Sequence, residues 1–148
     1  MEFRRATLQD VSTLARLRSQ QLIDEDNEPM NDIGDALKGY FYAGIENNSF
    51  IAWLAIKEGE VIATSGLCFY RLPPTYTNPS GEVAYVTNMF TVKEYRRRGI
   101  ASKLLANILI EARQSKVSIV RLHASSEGKG LYKKYGFEES YDYMALQL

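Results

Sequence analysis

The chain has 148 residues, a length at which one core can bury roughly 70% of the unfolded surface without disulfide or metal staples. Eighteen basic residues balance eighteen acidic ones, which excludes a broad cationic field for polyanions, so no nucleic-acid partner is expected. The longest apolar run, Phe50 to Ile56, is far short of the ~20 residues of a membrane-spanning helix, and no apolar signal stretch follows Met1 to Arg5, so a soluble, cytoplasmic chain with no membrane partner is the default.

Glu2 to Ala6 is short and extended in character. Thr7 followed three residues later by Asp10 predicts a helix start with an acidic first turn, and Val11, Leu14, Ala15, Leu17, Arg18, Leu22 and Ile23 continue an imperfect helical stripe. The stripe ends near the acidic stretch Asp24 to Glu28 and Pro29. A second helix is expected over Asn31 to Asn47, with Gly34, Gly39 and Gly44 weakening it. Phe50 to Lys57 and Val61 to Tyr70 flank Glu58-Gly59-Glu60 and predict a hairpin. Leu72 to Gly81 holds three of the four prolines and must be a loop, suited to lie over a site. Cys68, the single cysteine, excludes an intrachain disulfide and a cysteine-based metal cluster, and reads as an ordinary buried thiol.

Glu82 to Val92 reads as a long strand that enters the basic turn Lys93 to Gly99. Ile100, Leu104, Leu105, Ile108, Leu109 and Ala112 then form a wide apolar helical face. Val117 to His123 is expected as a strand, Ser126 to Tyr135 as a short helix and Phe137 to Leu148 as a terminal strand region. Helices, hairpin, strand, helix, strand and helix in this order indicate a mixed α/β domain built on one sheet.

Chemistry concentrates where the strand delivers its turn into the apolar helix. The first amides of a helix have no intrahelical partners, and the helix dipole adds partial positive charge there, so a diphosphate is a natural guest. Gly99 permits close main-chain approach, Ala101 leaves the next turn uncluttered, and Arg97 and Arg98 can add side-chain charge. The turn lacks the Lys-Ser or Lys-Thr ending of a nucleotide-triphosphate loop and the three glycines of a dinucleotide fingerprint.

Arg96, Gly99 and Ala101, after a strand and before a helix, match the main motif of the GNAT superfamily of acyl-CoA-dependent N-acetyltransferases. About thirty residues on, Leu131-Tyr132-Lys133-Lys134-Tyr135-Gly136-Phe137 resembles that family's second motif. The resemblance implies one GNAT-like domain over residues 1–148, an α/β (α+β) fold with a mixed, mostly antiparallel sheet flanked by helices. It implies acetyl-CoA as co-substrate, no metal, an amine-bearing acceptor, and a homodimer as a frequent arrangement. Pantetheine contacts correspond to the main chain of Met89, Phe90 and Thr91. Diphosphate contacts correspond to Arg97, Arg98, Gly99, Ile100, Ala101 and Ser102. Tyr132 corresponds to the residue that commonly protonates the departing thiolate, and a phenol of pKa ~10 is chemically suited to that task.

Two departures from the family pattern matter. Ser125 stands where many members have asparagine, and can reach cofactor or start the helix. Tyr85 stands near the position of a strand glutamate that serves some members as general base, and a tyrosine cannot do that at neutral pH. His123, Glu82, Asn88 and water remain as alternatives, with Asn88 suited to bonding the acceptor rather than removing its proton. The acceptor is a small amine, an amino acid or a protein amine. Its pocket is expected from the first two helices, the Leu72 to Gly81 loop and the terminal strand, with Tyr40, Tyr42, Tyr70, Tyr76, Tyr141 and Tyr143 as candidate lining. Asp24, Glu25, Asp26 and Glu28 either attract a cationic amine or form a solvated acidic loop. The rival reading is a non-catalytic acyl-CoA-binding regulatory module.

Overall fold

The computed structural model describes residues 1–148 and places five strands in one sheet, in the order β1-β2-β3-β4-β5. They are β1 (Glu2–Arg5), β2 (Phe50–Lys57), β3 (Glu60–Arg71), β4 (Glu82–Thr91) and β5 (Val120–Leu122). The first four pair antiparallel, and β5 joins β4 in parallel. Four helices flank the sheet: α1 (Val11–Asp24), α2 (Gly34–Asn47), α3 (Ile100–Gln114) and α4 (Lys129–Lys134).

Strand alternation sorts the core into two layers. Phe50, Ala52 and Leu54 of β2 meet Leu14 and Ala15 of α1 and Phe41 of α2 on one face. Leu67, Ala84 and Val86 face the apolar stripe of α3 and Tyr132 of α4 on the other. Gly44 explains itself here, because a Cβ on it would lie 2.5 Å from the Phe50 Cβ. A residue that weakens a helix on propensity is required by the close crossing of α2 over β2.

The Thr7 and Asp10 signal produces a short 3-10 turn, Leu8–Asp10, that leads into α1. The Asp10 carboxylate accepts from the Thr7 N–H at 2.8 Å and pairs with the Arg4 guanidinium through two bonds of 2.8 and 2.9 Å. Arg4 is therefore the main reason that Asp10 ionises below the usual carboxylate range. Because its folded pKa is depressed, the stabilisation is complete above the unfolded value of about 4 and is lost as pH falls through the folded value. Asp10→Ala is expected to cost about 2 kcal/mol in urea denaturation at pH 7, and much less at pH 3. An equal loss at both pH values would show that ionisation plays no part.

The end of the chain differs from expectation. Residues 137–148 form no strand, and the expected strand Val117 to His123 shrinks to the three residues of β5. Side chains, not a ladder, hold the start of this segment: Lys129 pairs with Glu139 at 2.8 Å, and the Arg121 guanidinium lies 5.4 Å from the Tyr143 ring centroid. The helix expected from Ser126 begins only at Lys129, because residues 126–128 are a turn in which the Ser125 hydroxyl and carbonyl both accept from the Gly128 N–H.

Candidate active site

The site begins where β4 and β5 part. Their parallel ladder pairs Ala84 with Val120, Tyr85 with Arg121 and Val86 with Leu122, and then stops. At that point β4 carries a bulge opposite Thr64 to Gly66, with Asn88 in the left-handed region at φ 54°. Bulges bend a strand and re-aim the residues beyond them. Asn88 is 4% exposed. Its carbonyl accepts from the Thr64 hydroxyl at 2.8 Å and its Oδ1 from the Thr87 hydroxyl at 3.2 Å. The asparagine thus fixes the bulge through its main-chain and side-chain carbonyl oxygens, bound by Thr64 of β3 and Thr87 of β4.

Beyond the bulge, Met89 and Thr91 occupy register positions whose main-chain groups point away from β3. The Met89 carbonyl accepts from Gln21 of α1 at 3.3 Å, and the Thr91 carbonyl from the Arg96 Nε at 2.8 Å. Phe90 turns its side chain into the core at 7% exposure.

The turn after β4 opens with a 3-10 segment, Lys93–Tyr95. Arg96 then folds back: besides Thr91 it donates to Asp24 Oδ2 at the end of α1, at 2.7 Å. This position of the motif is consumed in joining elements and is not free for an anion. The Arg98 guanidinium lies 5.4 Å from the Tyr95 ring centroid. Arg97 and Gly99 both take positive φ, 62° and 78°, and Gly99 caps the start of α3. Lys103 is the first residue to bond back into the helix, to the Gly99 carbonyl, so the N–H groups of Ile100, Ala101 and Ser102 have no intrahelical partner. Apart from Gly99 and its two chain neighbours, no residue comes within 4 Å of where a Gly99 Cβ would stand. An open cradle with three free amides and a helix dipole fits a diphosphate. The Ser102 hydroxyl lies 2.9 Å from the Tyr135 hydroxyl, which also reaches the Ser102 carbonyl and ties α4 to the first turn of α3.

Tyr132, 9% exposed, packs edge-on against Phe137 with ring centroids 5.8 Å apart. Burial above all, then Glu25 and Tyr85, pushes its phenol up to about 12. Tyr132 lines a cleft of about 680 Å³ that runs along β5, together with Tyr85, His123 and Arg121. Tyr70, Tyr141 and Tyr143 line it too, whereas Tyr40 packs on Phe41 and Phe50, and Tyr76 stands fully in solvent. Burial raises both the Cys68 thiol and the Tyr40 phenol, which suits the inert thiol expected from sequence. The Leu72 to Gly81 loop lies at the opposite end of β4 from Asn88, about 20 Å away at the ordinary rise per residue. Glu82, at that same end, pairs with Arg71.

Gln21 escapes a reading of the sequence alone, although it joins the stripe residue Arg18 to the acidic candidate Glu25. Arg18, Gln21 and Glu25 follow helical spacing along α1: Arg18 donates to Gln21 Oε1 at 3.0 Å, and Gln21 Nε2 donates to Glu25 Oε1 at 3.0 Å as well as to Met89. The available signal is a glutamine at a position the stripe should make apolar; it is 6% exposed. Among the four acidic candidates, Asp24 is bound to Arg96, while Glu25 is held beside the parted strands.

Residues 48–139 match the family described as an acetyltransferase (GNAT) domain. The chain belongs to the GNAT acetyltransferases. Its five-stranded, mostly antiparallel sheet flanked by four helices is the GNAT fold, and by family it is an acyltransferase. A predicted acetyltransferase from Clostridium acetobutylicum, crystallised with acetyl-CoA, is 38% identical, with a TM-score of 0.95 over 99% of this chain and 95% of that one. A GCN5-related N-acetyltransferase from Ralstonia eutropha JMP134 shares the fold at 21% identity and TM-score 0.90, over 99% of this chain and 97% of that one. Glucosamine-6-phosphate N-acetyltransferase from Arabidopsis thaliana shares it at 13% identity and TM-score 0.73, over 99% and 97% of the two chains. No curated protein matches the sequence. No helix of this GNAT protein is long and apolar enough to cross a membrane.

Proposed function

We propose that the protein, as one domain over residues 1–148, transfers the acetyl group of acetyl-CoA directly to a primary amine. The observation that carries this reading is the parting of β4 and β5 beside a helix start with an open Gly99 cradle. The amides of Gly99 to Ser102, with Arg97 and Arg98, hold the diphosphate. The main chain of Met89, Phe90 and Thr91 holds the pantetheine arm, which runs into the gap towards Tyr132. Ser125, whose hydroxyl accepts from the Gly128 N–H at the α4 turn, adds a contact to the cofactor. Tyr132 donates its proton towards the leaving sulfur.

A thioester is already activated, so holding the amine against the carbonyl supplies much of the rate. Glu25, steadied by Gln21, attracts the amine as an ammonium ion, and its proton leaves through His123 or water before attack. Asn88 serves this chemistry by shaping the bulge. The acceptor class that fits is a cationic amine small enough for the cleft, or the amine end of a flexible protein segment.

Acetyl-CoA mixed with a broad amine panel should release thiol in an amine-dependent manner. Glu25→Gln should raise KM for the preferred amine about tenfold, the worth of one charge-assisted contact, and leave KM for acetyl-CoA unchanged. Tight acetyl-CoA binding without thiol release over the whole panel would overturn catalysis in favour of a binding module.

A further inference from the structure

Two guanidiniums beside the cleft have no carboxylate. No ion pair of the chain includes Arg18 or Arg121. Arg18 gives an N–H to Gln21 Oε1, and Arg121 faces only the Tyr143 ring. Both side chains belong to partly buried residues, where unmatched donors are unfavourable. Strand alternation turns them to one side. Ala84 and Val86 pack on the α3 layer, as do Val120, Leu122 and Ala124, so Tyr85, Arg121 and His123 point the other way, towards α1. Tyr85 and Arg121 are register partners. Burial pushes the Tyr85 phenol up, while the His123 main chain and the charge of Arg18 pull it back, so Arg18 approaches the same phenol from α1. The other end of this row is anionic. Seven residues separate Arg18 from Glu25, about 10 Å along the helix axis. Glu25 stands near enough to Tyr132 to add to the effect of burial on its phenol. The acceptor side thus has a cationic end at Tyr85 and an anionic end at Tyr132.

We propose that the acceptor is a zwitterion, a small amino carboxylate whose carboxylate is held by Arg121 with Arg18 while its amine rests at Glu25. The inference rests on the acetyl transfer proposed above and narrows its acceptor. A planar guanidinium presents two parallel N–H donors that match both oxygens of a carboxylate. Three basic and three acidic side chains line the cleft, and two of the basic ones, Lys129 and Lys133, are already paired with Glu139. Arg121 is therefore the lining cation left for a ligand. A lining whose charges cancel suits a zwitterion better than a phosphate dianion or a polyamine. In the reaction the amine nitrogen bonds the acetyl carbon as the C–S bond breaks. One ammonium proton passes to His123 or water before attack, and a second ends on the CoA thiol. The product keeps its carboxylate and loses its cationic end, so the hold of Glu25 on it is gone.

Thiol release from acetyl-CoA should be measured over matched triplets, each an amino acid, its carboxamide and the amine that lacks the carboxyl group. The common α-amino acids, β-alanine and 4-aminobutyrate supply the probes. In the preferred triplet the amino acid is expected to exceed both relatives at least ~100-fold in kcat/KM, the effect of one bidentate charge-assisted pair. Arg121→Gln should shrink that ratio to below about fivefold, and Arg121→Lys, which keeps the charge without the fork, should fall between the two. Circular dichroism checks that both variants fold. Amines or carboxamides that match their amino acids overturn the inference and leave acetyl transfer standing. A ratio that survives Arg121→Gln overturns it as well, because the carboxylate is then bound elsewhere. Thiol release with no amine at all overturns acetyl transfer itself, and the inference with it.

Discussion

Gly99→Glu is expected to weaken acetyl-CoA binding at least ~100-fold, a loss of about 2.7 kcal/mol. Two effects combine. Gly99 sits at φ 78°, where an L side chain costs about 1 kcal/mol. The larger effect is competitive, because the new carboxylate would stand in the open space before three unpaired N–H groups and take the place of a phosphate. The same carboxylate is favourable at a helix start, so the fold should persist, which circular dichroism can verify. Gly99→Ala separates the two effects: it carries the backbone cost without the charge and should lose far less affinity. Titration calorimetry decides the matter, and undiminished binding by the glutamate variant would place the diphosphate elsewhere.

Tyr132→Phe should lower kcat about 10²-fold while acetyl-CoA affinity stays within a factor of two, since only a hydroxyl is removed and the ring can keep its contact with Phe137. With the phenol pushed up to about 12, its donor proton is in place throughout the neutral and mildly alkaline range. A thiol ionises near 8.5, so complete transfer from the phenol to a free thiolate would be uphill by about 3.5 units, near 5 kcal/mol. The hydroxyl therefore acts best as a hydrogen-bond donor that strengthens as charge gathers on sulfur. The raised value also has a stability signature. Its contribution is complete below the unfolded value of about 10 and is lost as pH rises through about 12. The wild type should accordingly lose more stability over that window than the Phe variant, in which Tyr40 still titrates there. An unchanged kcat in Tyr132→Phe would remove the residue from the chemistry.

The elements that position the site are readable in the sequence because their signals are local. Periodicity marks α1 and α3, the Glu58-Gly59-Glu60 turn marks the hairpin, and a glycine between a basic strand exit and an apolar run marks the α3 start. Features that depend on tertiary contact are not readable in this way. Nothing in Asn88 announces a left-handed bulge, which arises from its fit between Thr64 and Thr87. Gly44 reads as a weakness because Phe50, the residue that requires it, is on another element. Gln21 gains meaning only when α1 is laid against Met89, and its bond to Glu25 is what separates that residue from the other acidic candidates. The expected last strand rests on composition and alternation, and these specify that a segment can pair without specifying with what.

Arg96 links the end of β4 to the end of α1 through Thr91 and Asp24. This guanidinium and the Gln21 amide, which reaches Met89, thereby join the strand that enters the cradle to the end of α1. If a ligand in the cradle steadied this joint it would also bear on Glu25, one residue beyond Asp24, and under the proposed function an amine at Glu25 would bear on the cradle in return. By thermodynamic reciprocity, whatever factor one substrate adds to the affinity of the other is returned in full. Two side chains, Arg96 and Gln21, would then couple the two substrates within one subunit.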